Sequence, residues 1–225
     1  MPEDYRPVQA KLLIPQWYKS LESYNNGEKK PNGNAGTSAT AKKCMPLFDS
    51  MALGYIILTH ADIWVSQQID KDTGKYDQRY EWSAFDAIEF HPIKQLPEHP
   101  LNTGHETHYP KWMNAWSIKT PKGYSTLFIP PSHRETPITI LPGVVDTDVY
   151  DAPVNFPFVL KDPGMEGLIP AGTPVAQVIP FKRDSWKSIF GKEKQFMDQE
   201  KTRLKLKTMF FDSYKKQFRQ PKEYN

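Results

Sequence analysis

Prolines set the first limit on this chain: 21 of them in 225 residues leave few stretches in which a long helix can run uninterrupted. Proline fixes φ and removes a backbone donor, so it belongs at turns, sheet edges and element ends. Aromatic residues make up a further 13% of the chain. Together they predict many short extended segments joined by fixed turns, hence a mostly β core and not a helical bundle. The length suits one sizeable domain with tails.

Cys44 is the single cysteine, so no internal disulfide forms, packing holds the core, and a reducing compartment is compatible with it. The N-terminal stretch MPEDYRPVQAKLLIPQWYKSL has no basic start followed by a long apolar segment, and no run of about 18 apolar residues occurs anywhere. The expectation is a soluble, cytoplasmic protein with no membrane partner. The net charge of +3 is unevenly placed: residues 191–225 carry ten Lys or Arg against five Asp or Glu. Such a tail is drawn to phosphate backbones, but a solvated helix face explains it more simply, and nucleic acid is not the favoured partner.

Along the chain, 1–24 reads as an N-terminal arm in which Leu12 to Tyr24 suits a strand or a short helix, interrupted at Pro15. Residues 25–43 contain no large apolar side chain and read as a flexible linker or loop. Residues 44–186 read as a β-barrel domain. It opens with a helical turn at Phe48 to Leu53 and a break at Gly54, followed by strands at Tyr55 to Thr59 and Asp62 to Gln67. A hairpin loop at 70–76 comes next, then an extended stretch at Glu81 to His91. The following loop, HPIKQLPEHPLNTGHETHYP, holds four prolines. Trp112 to Ile118 and Tyr124 to Ile129 flank the turn Pro121-Lys122-Gly123 and read as a second hairpin. Residues 187–225 form a basic tail, helical from about Gln195 to Gln217 and ended before Pro221.

The block from Thr120 to Phe181 resembles the core of the dUTPase and dCTP-deaminase superfamily. Pro121-Lys122-Gly123-Tyr124 stands where that family has a Pro-Gly-Tyr turn, and Pro130-Pro131-Ser132 where it has Pro-Arg-Ser. Leu141-Pro142-Gly143-Val144-Val145-Asp146 with Tyr150 matches its Gly-Val-Ile-Asp motif and aromatic partner. Ala171-Gly172-Thr173-Pro174-Val175-Ala176-Gln177-Val178-Ile179 matches its last core strand. The likeness covers about 60 of 225 residues and implies a dUTPase-like β-clip or jelly-roll-type barrel with a helical, basic C-terminal tail. Over 44–186 the chain is also similar to an uncharacterised bacterial and phage family, through Cys44-Met45-Pro46-Leu47, the Pro121 to Tyr124 turn, Gly143-Val144-Val145-Asp146-Thr147-Asp148 and Val178-Ile179-Pro180-Phe181. That likeness implies a phage-associated protein, in the host cytoplasm or the virion, and points to no known activity.

By the dUTPase resemblance, Asp146 is the catalytic residue that positions the sugar and an attacking water, Ser132 and Arg134 hold phosphates, Tyr150 lies against the ligand, and the assembly is a homotrimer. The chain departs from the family at Pro131, which replaces the phosphate-binding Arg, and at Pro157, which occupies the place of a deaminase's catalytic Glu. Ala52-Leu53-Gly54-Tyr55-Ile56 lacks the acid of the early motif, and no Gly-rich closing arm is present. From the residues themselves, Asp146, Asp148 and Asp151 in one turn suit either Mg²⁺ or an ordinary Asp-stabilised turn. His105 and His108, among the four histidines of the Pro-rich loop, are a candidate metal pair whose spacing is not diagnostic. Cys44 reads as a core residue before a nucleophile. The tryptophans read as filling the barrel interior or an interface.

Three readings follow. The preferred one is a non-catalytic or catalytically degenerate binding and assembly module. The second is a divergent nucleotide hydrolase using Asp146, Ser132, Arg134 and Mg²⁺, the only case in which a cofactor is expected. The third is a structural, virion-associated protein.

Overall fold

A computed structural model describes residues 5–25, 39–69, 71–72, 74, 76–84, 86–95, 99, 108–208 and 213–223. They divide into two compact units, Met1–Leu13 with Gly54–Arg183, and Ile14–Leu53 with Asp184–Asn225.

The first unit is built of β1 (Val8–Gln9), β2 (Tyr55–Leu58), β3 (Ile63–Ile69), β4 (Tyr76–Trp82), β5 (Ile88–Pro92), β6 (His108–Trp112), β7 (Tyr124–Ile129), β8 (Ile138–Ile140), β9 (Gly143–Val145), β10 (Phe156–Leu160), β11 (Gly167–Ile169) and β12 (Pro174–Lys182). All pairings are antiparallel, in three sheets ordered β1-β2-β12-β7-β9, β5-β6-β10-β8 and β11-β3-β4. The mostly β class is therefore as expected, but the described strands close no barrel.

Strand chemistry explains the layout. β3 alternates, with Ile63 and Val65 buried and Trp64 and Ser66 turned to solvent, the pattern of a sheet with one wet face. β12 instead buries Val175, Ala176, Gln177 and Val178 in succession, so both faces of the sheet are covered there. Its pairing with β2 ends at Val178, whereas the pairing with β7 runs on to Lys182. Pro180 lies beyond that point, where one side of the strand is unpaired and a missing donor is tolerated. The core joins these strands through Ile57, Ile63, Trp112, Phe128, Ile140, Phe156 and Phe158. The Phe128 and Phe156 rings lie 5.4 Å apart and Tyr80 meets Phe158 edge-on at 5.9 Å. Each such side chain contributes about 1.5–3 kcal/mol on burial.

The hairpin expected across Pro121–Gly123 does not form. Tyr124–Ile129 is a strand, but it pairs with β12 and β9, and the chain leaves β6 at Trp112. Asn114 is the reason: its buried amide donates to the Trp116 carbonyl at 2.7 Å and accepts from the Trp116 N–H at 3.2 Å, while its own N–H donates to Asn155 Oδ1. These local bonds occupy groups a ladder would need. Strands β3 and β4 do form the hairpin expected around 70–76.

The second unit holds α1 (Gln16–Ser20), a 3₁₀ turn at Ala41–Lys43, α2 (Met45–Ala52), α3 (Glu193–Thr208) and α4 (Ser213–Gln217). The ambiguous stretch at Leu12 to Tyr24 is thus helical, starting just after Pro15. Most of the 25–43 linker lies outside the described residues, but Thr40 caps the 3₁₀ turn by accepting from the Lys42 N–H. Tyr18 is buried; its hydroxyl donates to the Lys42 carbonyl, the Lys42 ammonium lies 4.7 Å from its ring, and burial pushes its pKa up. Asp49 of α2 accepts from Arg219 at 2.7 Å and from Lys222 at 2.5 Å, fastening the end of the chain to that helix. Cys44 is exposed, not in the core, because Pro46 starts α2 and leaves Cys44 outside its first turn. Of the tryptophans, Trp112 is fully buried, whereas Trp17, Trp64 and Trp186 are exposed, so the interior takes only part of that set. The C-terminal helix is present over Glu193–Thr208 and Ser213–Gln217.

Candidate functional site

The acidic turn following β9 is the candidate site, and its construction starts from Thr147. This side chain is buried, and its hydroxyl lies 2.8 Å from the hydroxyls of both Thr120 and Thr126. With Thr147 facing inward, Asp146 and Asp148 flank it in the turn. The N–H groups of Val149 and Tyr150 both donate to the Asp146 carbonyl, closing the turn.

Arg183, at the end of β12, joins the two acids. Its Nη1 donates to Asp148 Oδ1 at 2.9 Å and to Asp146 Oδ1 at 3.2 Å, and its Nη2 donates to Asp148 Oδ2 at 2.5 Å. The Gly123 N–H donates to Asp148 Oδ2 at 2.8 Å, and Ser125 Oγ donates to Asp146 Oδ1 at 2.6 Å. The Arg183 hydrogen bonds, followed by that of Gly123, hold the Asp148 carboxyl well below the usual carboxylate range. In return the Asp148 hydrogen bond raises the Arg183 guanidinium pKa. The Asp148 side chain is 3% exposed and that of Asp146 is 60% exposed, so Asp146 alone of the pair presents oxygen to solvent. Asp151 turns away to pair with Lys119, and the Tyr150 ring is exposed.

Ser132 and Arg134 stand elsewhere. They follow β7 in a turn whose His133 has φ of 56°, and the Ser132 N–H donates to Gln177 Oε1 at 2.9 Å. Arg134 is buried and donates to three backbone carbonyls, Ala10 at 2.9 Å, Ser132 at 3.1 Å and Leu13 at 3.2 Å; burial lowers its pKa. It fastens the N-terminal strand and turn to the β unit. Within one chain the two groups occupy opposite ends of β7: Ser125 touches Asp146, whereas Ser132 lies beyond Ile129. Four residue steps of strand, about 13 Å, separate Ser125 from Ile129 alone. Asp146, Ser132 and Arg134 therefore share no cleft within one chain.

His105 lies outside the described residues. His108 is exposed at the start of β6, its ring 6.4 Å from that of Phe90, and no group of three or more His, Cys, Asp or Glu among the described residues is placed to hold a metal ion. His108 instead borders a groove of about 330 Å³ with Asp77, Gln78, Arg79, Tyr80, Trp82 and Phe90. Gln78 is fixed at its floor, accepting from Tyr80 Oη at 2.6 Å and donating to the Pro163 carbonyl.

Reading from sequence missed Arg183, which organises the whole turn. The only signal was a cation directly after the last core strand, indistinguishable from any basic residue leaving a sheet. Compared with known proteins, the chain matches no family model and no curated protein.

Proposed function

We propose that this protein is a non-catalytic binding and assembly module, a β-rich body of dUTPase-like ancestry in which the nucleotide-handling positions have become structural. One observation carries the reading: the side chains that would meet a phosphorylated ligand stand at two separate places, with Arg134 already engaged by backbone carbonyls and Asp146 bonded to Ser125 and Arg183. A guanidinium buried among carbonyls offers no fork to a phosphate. No helix among the described residues is long and apolar enough to cross a membrane, so a membrane-spanning helix is not part of the proposal.

The test is an assay of dUTP, dCTP and related nucleotides with Mg²⁺, run on the full chain and on Asp146→Ala. Both proteins are expected to show no release of pyrophosphate or ammonia above the buffer rate. Turnover that disappears in Asp146→Ala would replace this reading with the hydrolase.

A further inference from the structure

The chain beyond Arg183 buries almost nothing. Among the described residues of 184–225 none is buried, and only Glu200, Thr202 and Arg219 are even partly covered. Trp186, Phe190 and Phe196 stand in solvent with the rest. Hydrophobic stabilisation grows with the apolar area removed from water, so the described part of this limb gains little from it. Its end nevertheless has a fixed place, against α2.

One carboxylate sets that place. Asp49 accepts from Arg219 Nη2 at 2.7 Å and Nε at 3.2 Å, and from Lys222 Nζ at 2.5 Å. The Asp49 and Arg219 side chains are 12% and 20% exposed, so this forked pair is screened less than one on the open surface. Little else on the segment can hold it. α4, which leads into Arg219, is five residues long, too short to stand as a helix alone. The Tyr214 and Phe218 rings lie 6.5 Å from each other and stay 40% and 37% exposed. Lys215, Lys216, Arg219 and Lys222 outnumber Glu223 along 213–223, so the anion that fastens the segment comes from elsewhere in the chain.

We propose that segment 213–223 is a detachable strap on α2, latched by Asp49 and released in one piece when that carboxylate is neutralised or its field is screened. Release is separable from unfolding. α2 keeps its own supports, because Met51 and Ala52 are fully buried and the Leu53 N–H bonds to the backbone carbonyl of Asp49, not to its side chain. The strap also carries its own reporter. The N–H groups of Phe218 and Arg219 donate to the Tyr214 carbonyl at 3.0 and 2.9 Å, a turn with no reason to persist once the segment leaves α2.

Amide hydrogen exchange on the full chain, followed by NMR, tests the latch. Exchange at positions 218 and 219 is expected to quicken roughly ten-fold or more in Asp49→Asn and in Arg219→Gln. In the wild type it is expected to quicken between low salt and about 1 M salt, where charges are screened beyond about 3 Å. Combining the two substitutions is expected to add nothing to either alone, as for partners in one interaction. Asp198→Asn, which removes an exposed pair with Lys201 on α3, is the control and leaves positions 218 and 219 unchanged. Amides of β7 and β12 keep their protection throughout. Exchange indifferent to salt and to both substitutions overturns the latch and assigns the attachment to Tyr214 and Phe218. Additive effects in the double variant, or protection lost in β7 and β12 at the same time, overturn it as well.

Discussion

At the scale of single residues, the acidic turn is a staple. Asp148 has three hydrogen bonds converging on a nearly buried carboxylate, two from Arg183 and one from Gly123, and Arg183 reaches it from just after a strand, 35 positions away in sequence. The pH dependence follows. Because the folded carboxyl titrates below its unfolded value, its contribution is complete above the unfolded pKa of about 3.9 and is lost as pH falls through the folded one. Thermal melting of the wild type is therefore expected to drop below about pH 4. Asp148→Asn is expected to melt lower at neutral pH and to show a shallower acid limb, and equal acid slopes in the two proteins would rule the staple out. Sequence showed that this turn held three acids but not which was used. The choice is made by Thr147, whose inward hydroxyl sets the facing of its neighbours, and by Arg183, whose distance along the chain hides the pairing.

At the scale of elements, Gly54 fixes how β1 and β12 meet β2. It sits at φ +71° just before β2, its carbonyl accepts from the Ala10 N–H at 2.9 Å, and a Cβ there would lie 2.0 Å from the Val178 carbonyl oxygen. Both the dihedral and the close approach require glycine. Gly54→Ala is expected to destabilise the fold by about 2 kcal/mol or more, read as a lowered urea midpoint. This break was legible because a Gly followed by Tyr-Ile-Ile-Leu separates helix former from strand former. The strands at 55–58, 63–69 and 124–129 were equally plain, through their β-branched and aromatic runs. The false hairpin at Trp112 to Ile118 shows the limit: alternating side chains resemble a strand until Asn114 spends its backbone bonds locally. Barrel closure was no more legible, since it depends on strand pairings remote in sequence, and the motif order from Pro121 to Phe181 is silent about them.

At the scale of the molecule, backbone hydrogen bonding changes sharply where β12 gives way to the arm. β12 lies between two hydrogen-bonded neighbours and buries its own Val175, Ala176 and Val178, whereas the arm after it lacks regular structure and is exposed throughout. Amide exchange is expected to be slowest at β2, β7 and the first half of β12, and fast along 184–192 in dilute protein. Comparable protection in the arm at low concentration would contradict this gradient. Much of the chain's charge asymmetry was readable from the tail's composition, but the exposure of Trp186, Ile189 and Phe190 was not, because apolar residues in a helical tail read equally well as packing against their own domain.

The position of Arg183 has a mechanical side. The arm leaves the β unit directly after it, so any pull transmitted through the arm reaches β12 at the residue clamped to Asp148. A strand bonded to β7 from Gln177 to Lys182, and to β2 as far as Val178, meets a load along its own axis in shear, with its hydrogen bonds strained together and not one after another. Pulled along that axis, the chain would give way only when the clamp and the ladder fail together.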